Sequence, residues 1–157
     1  MITEKTFGSR ESGAEYTELP GAYLIAIERG GVQVVRTEEG GWQLPGGALL
    51  PEESHEDCIR HICLATLGFD VTVEDYVTSA EQYDLHPIQG HLHRIATFYS
   101  GALLERIASP TDATILEHKL LSLGDLETLT SPMHRFAVEE CIEMLRADAH
   151  GSDDEDL

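Results

Sequence analysis

The sequence predicts one α/β (α+β) domain with a mixed β-sheet, and three observations point there. β-rich runs lie both before and after a single strongly helical stretch. That stretch has capping residues at both ends. A chain of 157 residues that is 41% hydrophobic is also long enough to bury one core. Residues 1–15 are polar and contain Gly and Ser, which predicts a flexible N-terminal arm. The domain is expected over 16–147, and the acidic stretch 148–157 reads as a disordered tail that keeps the protein soluble or meets a partner.

In chain order, Ala22–Ile27 and Val32–Arg36 are strand-like runs split by Glu28-Arg29-Gly30-Gly31. Adjacent glycines tolerate positive φ, so this pair marks a hairpin. Trp42-Gln43-Leu44-Pro45 then runs extended into the turn Gly46-Gly47. Ser54 suits a helix N-cap with Asp57 three residues on, Ile59, Ile62, Cys63 and Leu67 keep helical spacing, and Gly68 suits the left-handed C-terminal position. Phe69–Val73 alternates as a strand, and further strands are expected near Tyr76–Ala80, Leu92–Ser100 and Ile115–Leu123. A second helix should run from about Pro132 to Arg146.

Charge and composition narrow the function classes. A formal net charge of −19 repels nucleic-acid backbones, so no nucleic-acid partner is expected. No apolar run approaches the roughly 18–20 residues a membrane span needs. Met1–Thr6 lacks a charged-then-apolar leader pattern. Three cysteines, Cys58, Cys63 and Cys141, form no CxxC pair and read as reduced thiols of a cytoplasmic protein.

Gly41-Trp42-Gln43-Leu44-Pro45-Gly46-Gly47, followed by Glu53, a capped helix and Gly68-Phe69, resembles the Nudix hydrolase family, whose box reads G-x5-E-x7-R-E-U-x-E-E-x-G-U with U a bulky aliphatic residue. Gly47 falls on the opening glycine, Glu53 on the first glutamate, Cys63 on the first aliphatic place, Gly68 on the closing glycine and Phe69 on the last apolar place. The flanking hairpin and the stretch after the box agree, so the resemblance covers about residues 20–147. It implies the Nudix fold, a mixed β-sheet sandwiched between helices, and a relation to MutT-like pyrophosphohydrolases, which cleave nucleoside diphosphates linked to another group and use magnesium.

The box is degenerate. His61 and Ile62 stand where the family has arginine and glutamate, and Ala65 and Thr66 replace the adjacent glutamate pair. Magnesium demands near-octahedral oxygen ligands, usually carboxylates. Residues three and four apart share a helix face, and here that face offers isoleucine, alanine and threonine. Magnesium, the family's cofactor, is therefore expected to bind weakly or not at all. If any metal is kept, the ligands would be Glu53, Glu56 and Glu117. Glu56, like Glu52 and Asp57, also suits the positive end of the helix dipole. By resemblance, Glu53 and Glu117 are the candidate catalytic carboxylates, with an exposed strand residue as the plainer reading of Glu117. For Glu53 the plainer reading is a loop held by hydrogen bonds.

Arg36 for a phosphate, Trp42 for stacking on a base or sugar, and the Gly46-Gly47 turn form the candidate ligand-binding set. Packing beside the glycine turn is the competing role for Trp42, and His134-Arg135-Phe136 resembles a turn-to-helix segment of the family whose expected role is packing. His86, His91 and His93 suit a transition metal by chemistry, but their spacing matches no zinc motif. Three functions follow as expectations. The first is a Nudix-type domain with weakened or lost hydrolysis that binds a nucleotide, a nucleotide-sugar or a partner. The second is an active hydrolase using Glu53 and Glu117 with fewer metal ions. The third is an assembly module, for instance a homodimer.

Overall fold

The computed structural model describes residues 3–39 and 41–155, with side chains through Ala149. Among the described residues, nine strands and two α-helices follow in order: β1 (Lys5–Phe7), β2 (Thr17–Ile25), β3 (Ile27–Glu28), β4 (Gly31–Thr37), β5 (Trp42–Gln43), β6 (Gly46–Ala48), α1 (His55–Leu67), β7 (Phe69–His86), β8 (Gly90–Arg106), β9 (Ile115–Ser122) and α2 (Pro132–Glu155). A short 3-10 helix, Leu123–Thr128, joins β9 to the approach of α2.

A mixed five-stranded sheet in the order β1-β7-β8-β2-β6 forms the middle layer. β2 runs parallel to β8, while β7 and β8 form a long antiparallel hairpin. The second sheet is centred on β4, with β9 along one edge and β3 and β5 along the other. Arg29 and Gly30 take φ of 49° and 74°, so the positive pair of the tight β3–β4 hairpin falls one residue before the expected Gly30-Gly31, and Gly31 begins β4.

One face of the middle sheet (Ala22, Leu24, Ala26, Val71) packs on Cys58, Ile59 and Cys63 of α1. Its other face (Ile25, Ala80, Ala96, Phe98) packs on Val32, Val34 and Leu44 of the second-sheet region and on Ala137, Val138 and Cys141 of α2. The mixed sheet thus lies between helices, as the family resemblance implies. Ser54 caps α1 by accepting from the Asp57 N–H at 3.1 Å, and Gly68 closes it at φ 77°.

Three sequence expectations are corrected. Residues 1–15 are not wholly a loose arm, because β1 pairs in parallel with Ala80–Gln82 of β7. The two strands expected over 69–80 are one, since register shifts around Val73–Tyr76 absorb the polar Glu74-Asp75 without ending β7. Backbone helix continues through Glu155, past the Arg146 end expected and into the predicted tail. The tail's last two residues and its side chains from 150 onward lie outside the described residues.

Candidate ligand cavity and the degenerate helix face

The loop entering α1 is fixed by close packing. Gly46 sits at φ 138°, and a Cβ there would fall 2.2 Å from the Ala22 carbonyl oxygen, so no side chain fits. Gly46 and Gly47 are strand residues of β6, paired with Tyr23 and Ala22. A Cβ on Gly47 would lie 3.2 Å from Ile62 Cδ1, so the bare glycine gives Ile62 its room.

Glu53 is committed on both oxygens. Oε1 accepts from the Leu50 N–H at 3.0 Å, and Oε2 lies 2.6 Å from His61 Nδ1. With its side chain only 12% exposed, Glu53 ties the loop to the helix through His61. Along the same helix, the buried Thr66 hydroxyl donates to the Ile62 carbonyl at 2.7 Å. The Ala65 carbonyl accepts from the Thr111 and Asp112 N–H groups at 2.8 and 3.0 Å, docking the loop after β8 on the helix. Glu56 lies 3.8 Å from Arg60, both exposed. Glu117 faces Arg36 across the β4–β9 pair, accepting from Nε at 3.1 Å and Nη2 at 2.5 Å.

These residues do not fit a magnesium ion. Ile62 and Ala65 bring no oxygen on their side chains, Thr66 spends its hydroxyl within the helix, and Glu53 and Glu117 are each engaged by a basic partner. Among the described residues, no three His, Cys, Asp or Glu side chains converge as metal ligands. Burial also lifts the neighbouring thiols, Cys58 to about 11 and Cys63 to about 12, with the Glu53 carboxylate adding to the shift at Cys58. Both are poor nucleophiles.

A polar cavity of about 330 Å³ opens on the opposite side of the middle sheet, between β7, β8 and the start of α2. The strand period explains its chemistry. Ala80, Ala96 and Phe98 face the core, and continuing along the same face toward the hairpin tip come Gln82, Asp84, His86 and Arg94, so a core surface turns polar. Tyr23 of β2, Trp42 beside β4 and Thr130–His134 ahead of and within α2 complete the lining.

Arg94 is held by Asp84, its Nε 3.2 and 3.3 Å from the two carboxylate oxygens. His134 is buried, and its Nδ1 accepts from the Leu44 N–H at 3.1 Å, which places the proton of the neutral ring on Nε2. Burial, helped by the Arg94 charge, brings His134 from 6.5 down to about 3, so the ring is uncharged near neutrality. Gln82 Oε1 and Ser131 Oγ are buried without a hydrogen-bond partner. Both ring nitrogens of buried His93, which does not line this cavity, lack a partner as well. Lys119 caps one face of Trp42, with Nζ 4.2 Å from the ring centre.

The structure thus distributes the sequence candidates. Trp42 lines the cavity, and Arg36 pairs with it across β4–β5 but spends its guanidinium on Glu117. Glu53 and Glu56 share an open depression at the start of α1 on the other side of the sheet. His86 caps the hairpin turn, accepting from the Ile88 and Gln89 N–H groups at 3.1 Å, while also bordering the cavity. His91 instead packs tilted against Tyr16, and His93 stacks on Tyr83. Sequence reasoning missed Gln82, Asp84, Arg94 and Ser131. Their one local signal is polar residues at the core-facing positions of a strand.

No protein-family model matches the chain, and no curated protein does. Solved structures do. A Nudix hydrolase from Nitrosomonas europaea superposes with a TM-score of 0.68 at 13% identity, over 81% of this chain and 90% of its own. An ADP-ribose pyrophosphatase from Streptococcus suis gives 0.63 at 20% identity, over 83% and 93%. The Nudix domain of Shewanella oneidensis NrtR, solved with ADP-ribose, gives 0.58 at 17% identity, over 87% and 94%. Likeness of this extent at such low identity establishes architecture: the chain has the Nudix fold.

Proposed function

We propose that this protein is a nucleotide-binding module on the Nudix fold whose magnesium-dependent pyrophosphate hydrolysis is lost or strongly reduced, and that the cavity beside α2 seats the ligand. One observation carries the reading. Gln82 and Ser131, each with a polar atom that has no partner within the fold, line that cavity, while the α1 face is filled by Ile62 packed on Gly47 and by a threonine bonded to its own helix. A cavity of about 330 Å³ is near the lower end for small-molecule sites and has room for a base or a sugar. Tyr23 and Trp42 border it with aromatic surface. Two of the similar structures are described by ADP-ribose, one as an ADP-ribose pyrophosphatase and one bound to ADP-ribose, which favours a ligand of that class here.

The rival, residual hydrolysis through Glu53, Glu56 and Glu117, asks carboxylates engaged with His61, Arg60 and Arg36 to hold the metal instead. Without a metal cluster, the electrostatic stabilisation that usually dominates such catalysis is missing. The test is a melting-temperature panel with nucleotides, ADP-ribose and nucleotide-sugars, run in excess magnesium and in chelator. Equal stabilisation under both conditions is expected. Magnesium-dependent release of a nucleoside monophosphate, abolished by Glu53→Gln, would overturn the proposal in favour of the enzyme.

A further inference from the structure

β9 is an edge strand of eight residues, whereas β1, β3, β5 and β6 at the other sheet edges have two or three. The Gln33 N–H donates to the Ala26 carbonyl at 3.0 Å, on the side of β4 away from β9. Backbone groups alternate along a strand, so Val32, Val34 and Arg36 turn toward β9, and Leu121, Lys119 and Glu117 turn back to them. His118 and Leu120 therefore point their N–H and C=O groups outward, and among the described residues no hydrogen bond reaches those groups. Such an edge is a template for another strand. The residues along it, Leu116 to Lys119, are exposed.

We propose that β9 is a homodimerisation edge, two copies joining antiparallel across a two-fold axis at His118 to make one continuous sheet through β4 and β9 of both. A formal charge of −19 on each copy opposes association, so a self-pairing needs opposite charges at its seam. This register supplies them. In an antiparallel pair the residues whose groups point outward must face each other, which leaves few registers to choose from. With His118 on the axis, Glu117 of each copy stands opposite Lys119 of the other. A slip of two residues in either direction sets Glu117 against Glu117 or Lys119 against Lys119, and directly opposed like charges are destabilising. Arg36 already lies against Glu117 within each copy, so the row across the seam reads Arg36, Glu117, Lys119 with alternating sign. On the other face, Leu116, 48% exposed, comes beside Leu120 of the second copy. Burial holds the His118 pKa below its ordinary value, so two uncharged rings meet at the axis.

Sedimentation equilibrium over a wide concentration range, with circular dichroism checking the fold, should show a monomer–dimer equilibrium for the unaltered protein. Lys119→Glu and Glu117→Lys each set like charges opposite twice and should weaken the dimer about tenfold. Glu117→Lys makes each copy less negative, so a weaker dimer there reports the seam rather than net charge. An equimolar mixture of the two variants regains opposite pairs and should associate about as tightly as the unaltered protein. A second readout is mild oxidation of His118→Cys, which should link two copies, since facing hydrogen-bonded residues lie about 5.5 Å apart, within disulfide reach. Leu116→Cys, four residues out of register and roughly 13 Å from its counterpart along the strand, should not link. A monomer at every concentration, a dimer indifferent to both charge reversals, or a mixture no tighter than either variant alone would overturn the proposal. So would linkage through Leu116→Cys in place of His118→Cys.

Discussion

On the α1 side of the middle sheet, Glu53, Arg60 and Thr66 all have partners within the fold, whereas in the cavity beside α2 Gln82 and Ser131 have none. The α1 side carries the positions that a Nudix reading marks for chemistry, and its polar groups are spent on holding a loop and a helix together. The cavity carries no motif; there Asp84 holds Arg94 and His134 accepts from the Leu44 N–H, while Gln82 Oε1 and Ser131 Oγ have no partner. The positions of a sequence motif can thus serve as scaffold within a fold.

The largest effect that would sharpen this contrast comes from His134. Its pKa is about 3 in the folded protein against 6.5 for the free side chain. The unfolded chain therefore binds the extra proton between those values, so this contribution to stability is complete above pH 6.5 and is lost as the pH falls toward 3. The slope should approach about 1.4 kcal/mol per pH unit within that window. Urea melts across it should show a steeper acid loss for the unaltered protein than for His134→Gln; equal slopes would mean that the ring is charged in the fold.

Next in size is Glu53→Ala, which frees the Leu50 N–H and His61 together. A loss of about 2 kcal/mol in urea unfolding, with nucleotide affinity unchanged, is expected. A loss of affinity without loss of stability would return Glu53 to the ligand site. Smaller is the gain from restoring carboxylates. Ile62→Glu, Ala65→Glu and Thr66→Glu together should tighten manganese binding about tenfold by calorimetry, at some cost in melting temperature because Thr66 is buried. A folded triple variant that still ignores manganese would show that the helix has moved as well as changed its side chains. Smallest is Arg36→Ala. The Arg36–Glu117 pair is substantially exposed, so unfolding should change by less than about 1 kcal/mol.

Much of the fold was legible because its signals are local. Ser54 and Gly68 bracket α1, a glycine-containing turn joins β3 to β4 one residue before the expected pair, and Gly46 ahead of α1 sits where only glycine fits. β1 was not legible, since three residues have little periodicity and their pairing with Ala80–Gln82 is decided by a distant strand. The β7–β8 hairpin hid its length for a related reason: its polar interruption at Glu74-Asp75 is absorbed by bulges that only the partner strand reveals. The α1 half of the site could be read from spacing, and the His61 substitution finds its physical sense in the contact with Glu53. The cavity could not be read that way. Tyr23, Gln82, Arg94, Ser131 and His134 come from four separated segments, and only the sheet register brings them to one face.

The most direct measurement is a calorimetric titration of ADP-ribose into the unaltered protein, first in excess magnesium and then in excess chelator, with the product mixture separated afterwards. The account predicts the same dissociation constant in both and intact ligand recovered at the end. Binding that needs magnesium, accompanied by steady release of AMP, would contradict it.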